Sequence, residues 1–91
     1  TNGYMEVTIL ITPKGNVHKT PLLTFRGIPV YNLDEFIYGL EETIEKMTKT
    51  YSLGSKKQEY NLIDNLKIAC RKYTKEMTGK KPFTNINLVR I

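Results

Sequence analysis

The stretch NLIDNLKIACRKYTKEMTGKKPFTNINLVRI, residues 61–91, decides how this chain folds. Apolar residues at Leu62, Leu66, Ala69, Tyr73 and Met77 follow the three/four spacing of one helical face. Gly79 then supplies a residue suited to the left-handed turn that ends a helix, and Pro82 prevents the helix from restarting. Phe83 to Ile91 is short, apolar and β-branched, and free of Gly and Pro, which predicts a strand. A strand there must pair with something earlier, so the upstream chain is read as what this helix and strand dock against.

The first of those partners is Gly3 to Thr12. Met5, Val7, Ile9 and Ile11 alternate with Tyr4, Glu6, Thr8, Leu10 and Thr12, the period-two pattern of a strand with one buried and one wetter face. Pro13-Lys14-Gly15-Asn16 has the residues of a tight turn. Val17 to Phe25 reads as the returning strand, with Val17, Leu23 and Phe25 inward. Pro21 removes a ladder donor and marks this strand as a sheet edge. After the Arg26-Gly27 turn, Asn32 is placed to cap a helix, with Glu35 three residues on. Leu33, Ile37, Leu40, Ile44, Met47 and Tyr51 give that helix its apolar stripe. Gly39 weakens it by roughly 1 kcal/mol relative to Ala and is read as permitting close approach of a neighbour. Ser52 to Lys57 is read as the connection to the second helix.

The predicted class is therefore α+β, in the order β-β-α-α-β. A three-stranded sheet carries an antiparallel helix pair on one face; the last strand can pair parallel beside the first or antiparallel beside the second, and the first is preferred as centre because Pro21 marks the second as an edge. On the other face the pattern leaves Tyr4, Leu10, Phe83, Val89 and Ile91, with Asn85 and Asn87 among them. That is more apolar surface than a small isolated domain shows to water, and it predicts contact with another chain or domain.

The 91 residues make one domain, residues 1–91, with 40% hydrophobic and 25% charged residues, ordinary globular values. No run is long enough for a membrane helix and no secretory signal pattern is present, so no membrane partner is expected. The chain opens Thr1-Asn2-Gly3 without a start Met and is read as part of a longer polypeptide or a processed product. Cys70, alone of its kind, is read as a small buried hydrophobe in a reducing, cytoplasmic setting. His18 has no acid near it in sequence, no two carboxylates are set to perturb each other, and Gly15, Gly27, Gly39 and Gly54 stand apart. Metal-ligand, acid/base and phosphate-loop signatures are thus missing from the sequence.

The net charge of +5 is unevenly spread. Asp34 to Lys49 holds five acids and two lysines, whereas Lys56 to Lys81 holds eight bases against Glu59, Asp64 and Glu76. Lys72, Lys75, Lys80 and Lys81, interleaved with Tyr73 and Phe83, are candidate RNA contacts, since charge and stacking together suit single strands. The plainer reading is a solvated helix face carrying Lys67, Arg71 and Lys75, with Tyr73 in the core stripe.

Three stretches resemble the C-terminal domain of the ribonuclease J family, the β-CASP, metallo-β-lactamase-type ribonucleases. They are Gly3 to Ile11; Leu23-Thr24-Phe25-Arg26-Gly27-Ile28, similar to the family's Ser-Arg-Gly-Phe turn; and Leu66 to Ile91, with Thr78-Gly79-Lys80-Lys81-Pro82-Phe83 before the terminal strand. Asn85 stands where the family strand usually has Pro, Phe25 replaces its Ser and Ile28 its Phe, as in a divergent paralogue. The resemblance implies a non-catalytic appendage that supports oligomerisation of a zinc-dependent 5′-to-3′ exoribonuclease and endoribonuclease of mRNA decay and rRNA maturation. It further implies that zinc and RNA chemistry belong to upstream domains of the parent. Partners would be a second copy or a paralogous ribonuclease J subunit, at an interface of Tyr4, Leu10, Phe83, Val89 and Ile91. The competing reading is a small independent RNA-binding module.

Overall fold

The computed structural model describes residues 3–14, 17, 21–51 and 55–91. Its elements are β1 (Tyr4–Ile11), β2 (Leu22–Arg26), α1 (Leu33–Thr48), α2 (Lys56–Thr78) and β3 (Phe83–Arg90). The sheet order is β2-β1-β3, with β2 antiparallel and β3 parallel to the central strand. The α+β class, the element order and the mixed pairing are those expected from the sequence.

The alternation of β1 translates directly into burial. Met5, Val7, Ile9 and Ile11 have no exposed surface and lie against both helices' inner residues: Phe36, Leu40 and Ile44 of α1, and Leu62, Leu66 and Cys70 of α2. Ile86 of β3 joins them, and Leu23, Phe25 and Leu88 pack at the margin. Each fully buried aliphatic side chain contributes roughly 1.5–3 kcal/mol, so this strand holds the two layers together.

Both helices bury a slightly different line from the one expected. In α1 the inner line is Phe36, Leu40, Ile44 and Thr48; Leu33 lies half exposed at the first turn, while Ile37, Met47 and Tyr51 pack at the side. In α2 it is Leu62, Leu66, Cys70 and Thr74; Ala69 is off to the side and Met77 is 43% exposed in the last turn. The reason is that threonine need not count as polar inside a helix. Thr48 Oγ1 donates to Ile44 O at 2.6 Å and Thr74 Oγ1 to Cys70 O at 2.8 Å, so both hydroxyls enter the core already satisfied. Phe36, absent from the expected stripe, is an aromatic hub 5.5 Å from the rings of both Phe25 and Tyr73.

The helix ends follow local chemistry. Glu35 N–H donates to Asn32 Oδ1 at 3.1 Å, as the cap requires. Gly79 ends α2 with φ of 81°, and its N–H reaches Lys75 O at 2.9 Å. α2 begins earlier than the connection read over Ser52 to Lys57. Ser55 is its N-cap, accepting from Gln58 N–H at 3.5 Å, and Lys56 and Lys57 are helical. The rest of that connection, 52–54, lies outside the described residues, as do Gly15 and Asn16 of the expected turn and His18. Of the expected returning strand, residues 18–20 lie outside the described residues; among the described ones Val17 makes an isolated antiparallel bridge to Ile11 and is 39% exposed, and β2 starts after Pro21. A proline without an N–H marks where the ladder is interrupted.

At Gly39 the helices approach closely. A Cβ there would collide with the Tyr73 hydroxyl and stand 2.8 Å from Tyr73 Cζ. The same hydroxyl donates to Phe36 O at 2.9 Å, fixing the ring over the missing side chain. Gly39→Ala is therefore expected to destabilise the protein by about 1–2 kcal/mol in urea unfolding, overpacking outweighing the gain in helix propensity. In a Tyr73→Ala background the same substitution should become stabilising; a stabilising effect in both backgrounds would remove the close contact as the reason for Gly39.

Candidate interaction surface on the open sheet face

The helices cover one face of the sheet, and strand alternation decides what stands on the other. Register places Arg26, Tyr4 and Phe83 in one row, Thr24, Glu6 and Asn85 in the next, then Leu22, Thr8 and Asn87, and finally Leu10 and Val89. All five expected interface residues, Tyr4, Leu10, Phe83, Val89 and Ile91, lie on or beside this face. They do not form one patch. Tyr4 and Phe83 sit at one end and Leu10 and Val89 at the other, roughly 20 Å away at the rise of a strand. Ile91, 54% exposed, follows β3 at the aliphatic end.

Between the ends lies a polar band. Glu6 accepts from Asn85 Nδ2 at 3.3 Å and Asn87 Nδ2 at 2.9 Å, and Asn87 also donates to Thr8 Oγ1 at 3.3 Å. Cross-strand hydrogen bonds of this kind stiffen the middle of the face and keep it wet. Glu6 shares the open face with Tyr4 and Thr8, and the register of β1 against β3 is what sets Asn85 and Asn87 beside it.

At the aromatic end the Tyr4 and Phe83 rings lie 6.0 Å apart and only 12° from parallel. Phe83 is 70% exposed. Arg26, across from Tyr4, and Lys80 and Lys81, just before Phe83, are exposed. At the aliphatic end Val89 is 41% exposed. Arg90, whose side chain belongs to the other face, pairs with Glu59 at the start of α2.

The four candidate RNA lysines are not one cluster. Lys72 and Lys75 are exposed on α2, in the helix layer, and Lys75 Nζ donates to Gly79 O at 3.2 Å across the helix end. Lys80 and Lys81 belong with Phe83 instead. Tyr73, the aromatic interleaved with the helix lysines, faces inward against Phe36, and burial raises its pKa, with Glu35 and Glu42 adding to the rise. Its ring is partly buried against Phe36 and over Gly39. On the outer side of α1, Lys46 and Lys49 pair with Glu42 and Glu45 at 3.4 and 3.0 Å, exposed contacts worth a few tenths of a kcal/mol at most.

Among the described residues no three His, Cys, Asp or Glu side chains lie together in a group that could hold a metal ion. No described helix is long and apolar enough to cross a membrane. Cys70 is fully buried on α2, and burial pushes its thiol up to about 12 from 9.0. A raised folded-state pKa means that the unfolded chain ionises first. The stability present below pH 9 is therefore lost as pH rises from 9 toward about 12. Native protein at pH 8 is expected to resist thiol reagents, with modification rising in step with unfolding as urea is added. Rapid labelling of the folded protein would contradict this burial. The chain matches no protein-family model and no curated protein.

Proposed function

We propose that this chain is an assembly module, joining a second copy or a paralogous subunit of a ribonuclease J-type RNA-degrading and RNA-maturing enzyme. In this reading cleavage and zinc belong to other domains of the parent, which works in the cytoplasm. The observation that carries the assembly role is the outer edge of β3. Phe83 N–H donates to Gly3 O at 2.9 Å and Ile91 N–H to Ile11 O at 3.0 Å, so the alternating ladder turns the backbone groups of Thr84, Ile86 and Leu88 away from β1. The strand is eight residues long, uncharged from Phe83 to Val89, and at the sheet edge. Proteins ordinarily protect such an edge with charges, proline or a bulge, and one without them is suited to pairing with another chain. β2, by contrast, is only five residues long and offers a much shorter edge.

The partner strand adds to β3, and the exposed Val89 and Ile91 are covered where the two chains meet. The link to a ribonuclease rests on the three resembling stretches, Gly3 to Ile11, Leu23 to Ile28 and Leu66 to Ile91. Reading the gene upstream of Thr1 tests that link: metallo-β-lactamase and β-CASP segments there would support it, and an unrelated domain would remove it.

Sedimentation equilibrium tests the assembly role. The wild-type chain is expected to dimerise at micromolar concentrations, and Val89→Lys with Ile91→Lys to shift it to monomer at least tenfold in dissociation constant, with an unchanged melting temperature. A wild-type chain that stays monomeric at high concentration, alone and with the parent's catalytic domains, would sink the assembly reading.

A further inference from the structure

The aromatic end of the open sheet face is not explained by assembly through β3 and the aliphatic end. Two rings stand there on adjacent strands, nearly parallel, and the outer one, Phe83, keeps 70% of its surface in solvent. Phe36, the ring of the core, is by contrast covered. Three exposed cations surround the pair: Arg26 opposite Tyr4 in the register, and Lys80 and Lys81 within three residues of Phe83. Glu6 is the carboxylate of the neighbouring row. Its side chain is held by the amides of Asn85 and Asn87, along the strand from the rings.

We propose that this end of the sheet binds single-stranded RNA, one base stacking on Phe83, with Tyr4 supporting the ring from behind. Arg26, Lys80 and Lys81 take the flanking phosphates. The occupant follows from the chemistry of the patch. An exposed aromatic face beside clustered cations matches a planar base carried on an anionic backbone, and a single strand is the form whose bases are free to stack. A lipid surface or an acidic peptide would use the cations and leave the ring without a role. RNA is favoured over DNA by the next row: the amide oxygens of Asn85 and Asn87 and the Glu6 carboxylate are acceptors, and a ribose 2′-hydroxyl is a donor that DNA lacks. The sheet position also sets a direction. A strand leaving Phe83 along the face meets the polar band, where exocyclic amines find those same acceptors, before it reaches Leu10 and Val89. The inference does not depend on the assembly role: strand addition uses the outer backbone edge of β3, whereas stacking uses the exposed face of the Phe83 ring.

Fluorescence anisotropy with a labelled oligouridylate of about ten nucleotides, at about 50 mM salt, tests it. Wild-type protein is expected to bind, and Phe83→Ala to weaken binding roughly tenfold or more while Phe83→Tyr retains it. An abasic oligomer of the same length should bind as weakly as the Phe83→Ala variant binds the oligouridylate. Lys80→Ala with Lys81→Ala should lower the salt slope by about 1.4, the two phosphates of a single strand. Circular dichroism checks that each variant is folded, which the exposure of all three side chains favours. No binding by the wild-type chain, equal binding by Phe83→Ala, or equal binding of the abasic oligomer overturns the stacking site. An oligodeoxythymidylate bound as tightly as oligouridylate overturns the assignment to RNA. If Val89→Lys with Ile91→Lys becomes monomeric and still binds RNA, the two surfaces are independent, as inferred. A wild-type chain that binds RNA yet stays monomeric, alone and with the parent's catalytic domains, removes the assembly role and leaves this site standing.

Discussion

The structure depends on one constraint of connectivity. Tyr4 is flanked by Arg26 on one side and Phe83 on the other, so the chain leaves β2 and enters β3 at the same end of the sheet. Whatever lies between must travel out and come back. Two antiparallel helices do this, and they bury their inner lines on the face that β1 offers. The helix pair is therefore both the crossover and the second layer of the core.

That constraint explains where special residues fall. The return helix must stop at the sheet end and release the chain into β3 within a few residues. Gly79 with its positive φ stops it, and buried Pro82 leads into the strand. The two helices must also lie close enough to share one narrow sheet. Gly39 allows Tyr73 to settle over α1 and donate to the Phe36 carbonyl, so a single absent side chain sets the spacing of the helical layer. Phe36 then fills the space between that ring and Phe25 of β2.

Features governed by neighbouring residues were legible in the sequence. The alternation of β1, the Asn32 cap, the Gly39 approach, the Gly79 stop and the edge position of β2 each follow from a residue type and its immediate context. The phase of the helices was less legible, because it depends on which polar side chains can satisfy themselves. Thr48 and Thr74 bond to their own helices and enter the core, which turns both helices slightly from the line that apolar residues alone suggest. The start of α2 was hidden for a related reason: Ser55 and the lysines after it have the composition of a loop until the serine is seen as a cap. The open face was legible as a set of residues but not as two patches. Its division needs the register of β1 against β3, which brings Glu6 beside Asn85 and Asn87.

The parallel neighbours β1 and β3 also give the molecule a mechanical character. β1 is the first strand and β3 the last, and along their shared ladder Tyr4 sits beside Phe83 and Ile11 beside Arg90. Tension applied before Tyr4 and after Ile91 runs along both strands in opposite senses. It loads the ladder in shear, so the bonds from Gly3–Phe83 to Ile11–Ile91 bear it together and none is peeled open first. A protein pulled through its own ends in this geometry behaves as a clamp, yielding late and all at once.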